Sequence, residues 1–427
     1  MSSILQNHLR LREDGTRSGI YSVCSAHPLV LRAAAEQAVA DRSLLLIEAT
    51  SNQVNQMGGY TGMQPSDFRR FAETIATAAH LEPQRLVLGG DHLGPNPWRH
   101  LPASEAMQYA KTMVSAYAKA SFSKIHLDAS MSCLDDPAIL SDEEVAHRSA
   151  ALCTEAEAAY ADEITKPVYV IGTEVPTPGG ATHSLNNLSI TPPKSASRTL
   201  SIHRQVFMKH GLGDAWKRVI AMVVQPGVEF DHDSVVHYQR SKAKALVEWR
   251  QQENSDIVFE AHSTDYQLPH AYGELVHDGF AILKVGPAMT FALREAMDAF
   301  AAIEELLIAP EEQSKLLQTL EQTMIANPQE WRPYYEGSPS QQQLLRRFSY
   351  SDRVRYYWHN PEVVASVSRL IRNLETTKIP ESVLSLFMPA QYARLRLGQI
   401  PYDPTSLIVD KVKDVLRVYA KSCSPGR

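Results

Sequence analysis

Cysteine is scarce in this sequence: Cys24, Cys133, Cys153 and Cys423 are the only four among 427 residues, and no two form a C-x-x-C pair. Their spacings exclude a disulfide framework and a zinc ribbon, so reduced thiols are the default. Cys24 and Cys133 fall near the polar positions discussed below, where buried packing is their expected role. Long apolar runs are also missing, and Met1 to Asp14 is polar rather than signal-like. Basic residues number 42 against 48 acidic ones, for a net charge of −6, and no dense Lys/Arg run occurs. The footprint needed to track a phosphodiester backbone is therefore absent. These absences predict a cytoplasmic protein with neither a nucleic-acid partner nor a membrane attachment. Neither G-x-G-x-x-G nor a Walker A loop is present, so no nicotinamide cofactor is expected, and any bound phosphate would belong to a small substrate.

What the sequence does have is 44% hydrophobic residues, enough for a large core. From Gly19 to Leu306, short apolar runs alternate with amphipathic segments, the pattern of βα units. The runs are Ile20 to Val23, Leu44 to Ile47, Arg85 to Leu88, Lys124 to Leu127, Val168 to Ile171, Val219 to Val224, Ile257 to Glu260 and Ala281 to Val285. Helical patterns follow them, for example over Ser66 to Ala79, Ala103 to Ala120, Asp142 to Tyr160, Ser234 to Gln251 and Pro287 to Leu306. Eight such units predict an α/β fold, a (β/α)8 TIM barrel over residues 20–306. Residues 1–19 are an N-terminal arm, and 307–427 a helical C-terminal extension. Within the extension, Trp331 to Tyr335 and Tyr350 to Trp358 mix aromatics with arginine, which suits packing against the barrel or a subunit interface.

In such a barrel, chemistry sits where strands end. The first strand ends in Cys24, Ser25 and His27, and the second in Glu48, Asn52 and Gln53. The third ends in Asp91 and His92, the fourth in Asp128 and Ser130, and the fifth in Glu174. The sixth ends in Gln225 and Glu229, the seventh in His262, Ser263 and Asp265, and the eighth in Lys284 and Gly286, with Thr290 beyond. His92, Glu174 and His262 would converge as two imidazoles and a carboxylate suited to a divalent metal; a hydrogen-bonded core role is the alternative for the histidines. Asp91 suits a general acid/base, provided that the chain turns at the strand end so that it and His92 both reach the mouth. Glu48 suits either a substrate hydroxyl or a salt bridge. Ser263, Lys284, Gly286 and Thr290 lie where barrels often build a phosphate site.

The stretches SVCSAHPLV, LIEATSNQVNQMGGYTGM, GGDHLGPNPW, SKIHLDASMSC, YVIGTEVPTPGG, VVQPGVEFDH, FEAHSTDYQ and FAILKVGPAMTFALREA resemble the Z-subunit family of tagatose-bisphosphate aldolase. The resemblance runs through most of the chain. It implies a barrel of the class II aldolase superfamily and one of two activities. Some relatives are 4-epimerases acting on tagatose, fructose or their phosphates; others are non-catalytic companions of a zinc-dependent class II aldolase subunit. By this likeness Asp91 and His92 would supply acid/base and metal ligand, with Asp128, Glu174 and His262 as further site carboxylates and imidazole. One departure stands out: the superfamily's strand-six histidine has no counterpart in Val224-Gln225-Pro226-Gly227. A site of His92, His262, Glu174 and Gln225 would be harder in character and would accept Zn, Mn, Ni or Co.

Together these features lead to an expected isomerase, a metal-dependent ketose or ketose-phosphate 4-epimerase. The C4 hydrogen is not adjacent to the C2 carbonyl, so inversion there would run by cleavage and re-addition of the C3–C4 bond. Asp91 would move the C4 hydroxyl proton, and the metal would stabilise the enediolate. Asp128, Glu48, Asn52 and Gln53 would orient hydroxyls, with Ser25, His27 and Ser130 nearby. Pro176 to about Ser197 would act either as a lid or as a passive surface insertion. The alternative is a non-catalytic partner of an aldolase subunit, and a third reading is an aldolase active alone.

Overall fold

The computed structural model describes residues 4–10, 18–160, 166–173, 188–253 and 257–424. Eight parallel strands close a barrel: β1 (Ile20–Val23), β2 (Leu45–Thr50), β3 (Leu86–Leu93), β4 (Lys124–Leu127), β5 (Val168–Ile171), β6 (Val219–Val223), β7 (Val258–Ala261) and β8 (Phe280–Val285). Each strand pairs with its sequence neighbours, and β1 closes on β8 through Ser22 beside Lys284. Where the sequence predicts a helix from Ser234, the chain first forms a small antiparallel ladder, Glu229 against Val236 and Phe230 against Val235. The Asp231 carboxylate turns it by accepting the amides of Asp233 and Ser234. The helix then runs over Arg240–Gln252.

Period-two alternation divides the barrel interior into layers. Ile20, Leu46, Val87, Val258 and Ile282 are buried together at the floor, against Leu5 and Leu9 of the N-terminal segment. Two residues further along β1, β2, β7 and β8 the character changes, while β5 and β6 stay apolar. Ser22, Glu48, Lys124, Glu260 and Lys284 form a buried, charged middle layer. Gly89 makes room for it, since a Cβ there would lie 2.7 Å from Glu48 Cγ.

Beyond the barrel the chain is helical. The terminal helix, Pro404–Cys423, packs against the helices Pro28–Asp41, Pro287–Leu307 and Pro269–His277 and against β1. It buries Leu407, Ile408, Val412, Leu416 and Tyr419. Its start is set by Asp403, whose carboxylate accepts the Ser406 amide at 2.8 Å, with Pro404 in the first turn. Tyr419 donates to the Thr264 carbonyl at 2.9 Å, tying this helix to the loop after β7. Trp331, Tyr335, Tyr357 and Trp358 are buried within the chain. No helix among the described residues is long and apolar enough to cross a membrane.

Candidate functional site

The charged layer is the foundation of the site. Glu48 accepts from Ser22 Oγ at 2.7 Å, from Lys124 Nζ at 2.8 Å and from Lys284 Nζ at 2.6 Å. Lys124 also meets Glu260 at 2.8 Å, and Lys284 meets Asp91 at 2.8 Å and Glu260 at 3.3 Å. Two ammoniums thus face three carboxylates in a space almost sealed from water, where each charge depends on its partners. Burial pushes Glu260 upward, but Lys124, Lys284 and His262 outweigh it and hold the carboxyl well below the usual range. Lys284 is held charged against its own burial by Asp91, Glu260 and Glu48. Glu48 is therefore a salt-bridge residue here.

Above this layer three imidazoles cluster. The rings of His92, His126 and His262 lie 4.9 to 5.4 Å apart, centroid to centroid. His92 adopts φ of +50°, and the β3–β4 register shifts between Gly90 and Leu93. This left-handed step at the strand end turns Asp91 and His92 to the same side. Gly94 follows because a Cβ there would strike the Asp128 carbonyl.

His92 Nδ1 lies 2.9 Å from Asp128 Oδ2, and Ser130 Oγ donates to Asp128 Oδ1 at 2.7 Å. Burial raises the Asp128 carboxyl, yet the His92 hydrogen bond and charge, with His126 and Ser130, bring it down to about 2. Burial lowers His92, but Asp91 and Asp128 together leave it raised. Burial takes His262 down to about 4, so its imidazole is neutral at pH 7; Nε2 donates to Glu260 at 3.0 Å and Nδ1 keeps its lone pair.

Asp91, His126, Glu260 and His262 each offer a ligand atom within 4.8 Å of the others, a buried group that could hold a divalent metal. The donor types fit such an ion. His126 supports the fit: Nδ1 is 2.9 Å from Asp91 Oδ1, and its buried Nε2 has no hydrogen-bond partner. Lys284 competes for the same oxygens. Asp91, although raised by burial, is carried well below the usual carboxylate range by His92, Lys284, His126 and His262.

Other expected site residues are placed differently. Gln225 Oε1 accepts the amides of Gly227 and Val228, at 2.8 and 3.0 Å, and so closes its own turn rather than joining the cluster. Glu174 and most of the expected lid lie outside the described residues; from Pro193 that segment is a helix. Ser263, Lys284, Gly286 and Thr290 do not form a phosphate cradle. Lys284 turns into the barrel, and Asp265 Oδ1 already accepts the amides of Gly286 and Ala288 at 3.0 and 2.8 Å. Thr290 Oγ1 donates to the Pro287 carbonyl at 3.2 Å. A carboxylate of the chain itself thus fills the helix N-terminus that a phosphate would use.

Ser25 Oγ and His27 Nδ1 accept amides at the start of the helix Pro28–Asp41. Gln53 spans the Thr50 amide and the Cys24 carbonyl. Asn52 and Ser263 line a chamber of about 80 Å³ above Asp91 and His92. Three residues missed in the sequence, Lys124, His126 and Glu260, lie one or two inward steps before the polar strand ends. Period-two counting back from Asp128 and His262 would have found them. Arg355 and Tyr356 of the C-terminal extension also line the chamber, and no local sequence signal places them there.

Fold and site together define a (β/α)8 barrel with a buried acid, imidazole and ammonium cluster at the C-terminal ends of its strands. The description "D-tagatose-1,6-bisphosphate aldolase subunit GatZ/KbaZ-like" matches residues 5–424, and the chain belongs to that family. A GatZ subunit of D-tagatose-1,6-bisphosphate aldolase from Klebsiella pneumoniae is 50% identical over 425 residues, covering 99% of each chain. Its counterpart from Salmonella dublin is 50% identical over 426 residues, 100% of this chain and 99% of the relative. A crystal structure from Sinorhizobium meliloti, described as a probable tagatose 6 phosphate kinase, is 46% identical with a TM-score of 0.87, covering 95% of this chain and all of that one. These findings correct the expected activity. The curated relatives match end to end and are named as aldolase subunits, so the isomerase assignment falls.

Proposed function

We propose that this chain is the non-catalytic subunit of a tagatose-1,6-bisphosphate aldolase, stabilising a class II aldolase partner that handles the ketose bisphosphate. The end-to-end likeness to named aldolase subunits carries the reading. The geometry agrees with it. Asp91, the natural acid/base, is bound to Lys284 and His126 instead of being free to exchange a proton. The expected phosphate cradle is filled by Asp265. A layer whose charges satisfy one another makes a rigid scaffold and a poor proton relay.

A divalent ion, if bound, would be held by Asp91, His126, Glu260 and His262 and would supply positive charge in place of the Lys284 ammonium. Zn, Mn, Ni and Co all suit that donor set. A cytoplasmic location belongs to the same reading, since all four cysteines are free.

The test is aldol cleavage of tagatose 1,6-bisphosphate, measured for this chain alone, for a class II aldolase subunit alone and for the pair. The expected result is no cleavage by this chain, and higher activity and thermal stability for the pair than for the aldolase subunit alone. Cleavage by this chain alone would overturn the reading.

A further inference from the structure

The Tyr350 to Trp358 stretch is rich in aromatics and arginine. It lies over the barrel mouth. Arg355 lines the small chamber above Asp91, and it also lines an adjoining cavity of about 370 Å³ between the mouth and the helix Pro361–Thr376. That volume lies within the range of small-molecule sites. Its walls are mostly apolar, with Leu29, Met63, Trp358, Val364, Val367 and Ile371 among them.

Arg355 is held by its own segment. One guanidinium nitrogen donates to the Ser351 and Asp352 carbonyls, and the other donates to the Tyr356 hydroxyl at 3.1 Å. Those contacts fix the fork and use only part of its five donors. Among the described residues no carboxylate forms an ion pair with it; the nearby Asp352 pairs with Arg294 at 3.2 Å. Tyr60, which lines both spaces, packs edge-on against Tyr356, their centroids 4.8 Å apart. A positioned guanidinium beside an apolar cavity matches one ligand chemistry: an oxyanion head carrying an apolar body.

We propose that this cavity binds a small organic oxyanion with an apolar or aromatic body, its head against Arg355 and its body among Trp358, Val367 and Ile371. The site adjoins the chamber above the acid and imidazole cluster and shares Arg355 with it, but none of the cluster's own side chains lines the cavity. It is independent of the subunit role proposed above and is tested without any partner.

Calorimetric titration of the full-length chain tests it with four probes: phenyl phosphate, phenylacetate, inorganic phosphate and tagatose 6-phosphate. Phenyl phosphate is expected to bind at least tenfold more tightly than inorganic phosphate. Phenylacetate separates a carboxylate head from a phosphate head, and tighter binding of either one supports the site. Arg355→Met is expected to weaken the better aromatic probe at least tenfold, and Arg355→Lys to weaken it less. Val367→Trp, which fills the cavity while leaving the guanidinium in place, should remove the advantage of the aromatic probes over inorganic phosphate. Thermal melts of each variant confirm folding. Aromatic probes binding no better than inorganic phosphate, or undiminished by Arg355→Met in a folded chain, would overturn the proposal. So would a clear preference for tagatose 6-phosphate over both aromatic probes, because a polyhydroxylated body does not suit these walls.

Discussion

The Lys284 ammonium lies 2.8 Å from Asp91 Oδ1, at the level where the barrel's charged layer meets its histidine cluster. The same nitrogen is 2.6 Å from Glu48 and 3.3 Å from Glu260. One side chain from β8 therefore neutralises carboxylates from β2, β3 and β7. It also sits against two of the four residues that could ligate a metal, so ammonium and metal are alternative countercharges for one set of oxygens.

Replacing Lys284 with Met keeps much of the volume and removes the charge. Removing one partner from a buried ionic network typically costs about 3–5 kcal/mol, and a loss of that size is expected in denaturant unfolding. Added zinc or manganese should recover part of it, because the divalent ion supplies the missing charge, and bound metal should rise in elemental analysis. A stability unchanged from the parent chain would show that the lysine is not holding the layer together.

Asp265 gives a pH signature. Burial raises its carboxyl to about 6, against the amide hydrogen bonds from Ala288 and Gly286. Between the ordinary value of 3.8 and about 6, the folded chain holds this proton more tightly than the unfolded chain does. Stability from this group is complete below the lower value and is lost as pH rises through the upper one. Asp265→Asn keeps an acceptor for the two amides and removes the titration. Its stability relative to the parent should rise between pH 4 and 7 by up to about 3 kcal/mol, then level off. Chemical denaturation at fixed pH values would show it, and a difference independent of pH would refute the assignment.

Much of the barrel was legible because its signals are local. β1, β4 and β5 fall where their apolar runs predict, and Pro287–Leu307 ends within a residue of its expected end. The polar strand ends were visible for the same reason. Lys124, His126 and Glu260 were hidden inside strands read as apolar runs, where single polar residues at alternate positions look like interruptions. The inward turn of Lys284 was not legible either. It depends on three carboxylates brought by other strands, up to 236 residues away in sequence. Arg355 reaches the mouth through helix packing that leaves no local periodicity.

Gly89 tests the charged layer from the steric side. An added methyl group would lie 2.7 Å from Glu48 Cγ and 3.1 Å from Cδ, and Glu48 cannot retreat without lengthening its contacts to Lys124 and Lys284. Gly89→Ala is expected to destabilise the fold by about 1–3 kcal/mol, the usual cost of overpacking. A double variant with Glu48→Gln should lose less than the sum of the two single losses, since the shorter contacts are then no longer ionic. Strict additivity would mean that the methyl group is accommodated elsewhere.

The terminal helix decides whether residues beyond 306 are an independent appendage or part of the barrel's own stability. Leu407, Ile408, Val412 and Leu416 are almost fully buried against helices that flank the barrel seam, and Tyr419 reaches the loop after β7. An appendage could be removed without consequence; this helix covers core. Truncation after Tyr402 should therefore abolish a cooperative thermal transition. Leu416→Ala in the full chain should cost about 2–5 kcal/mol, the range for a large side chain lost from a core. A truncated chain that melts cooperatively near the parent temperature would make the helix an accessory, and the barrel would then stand without it.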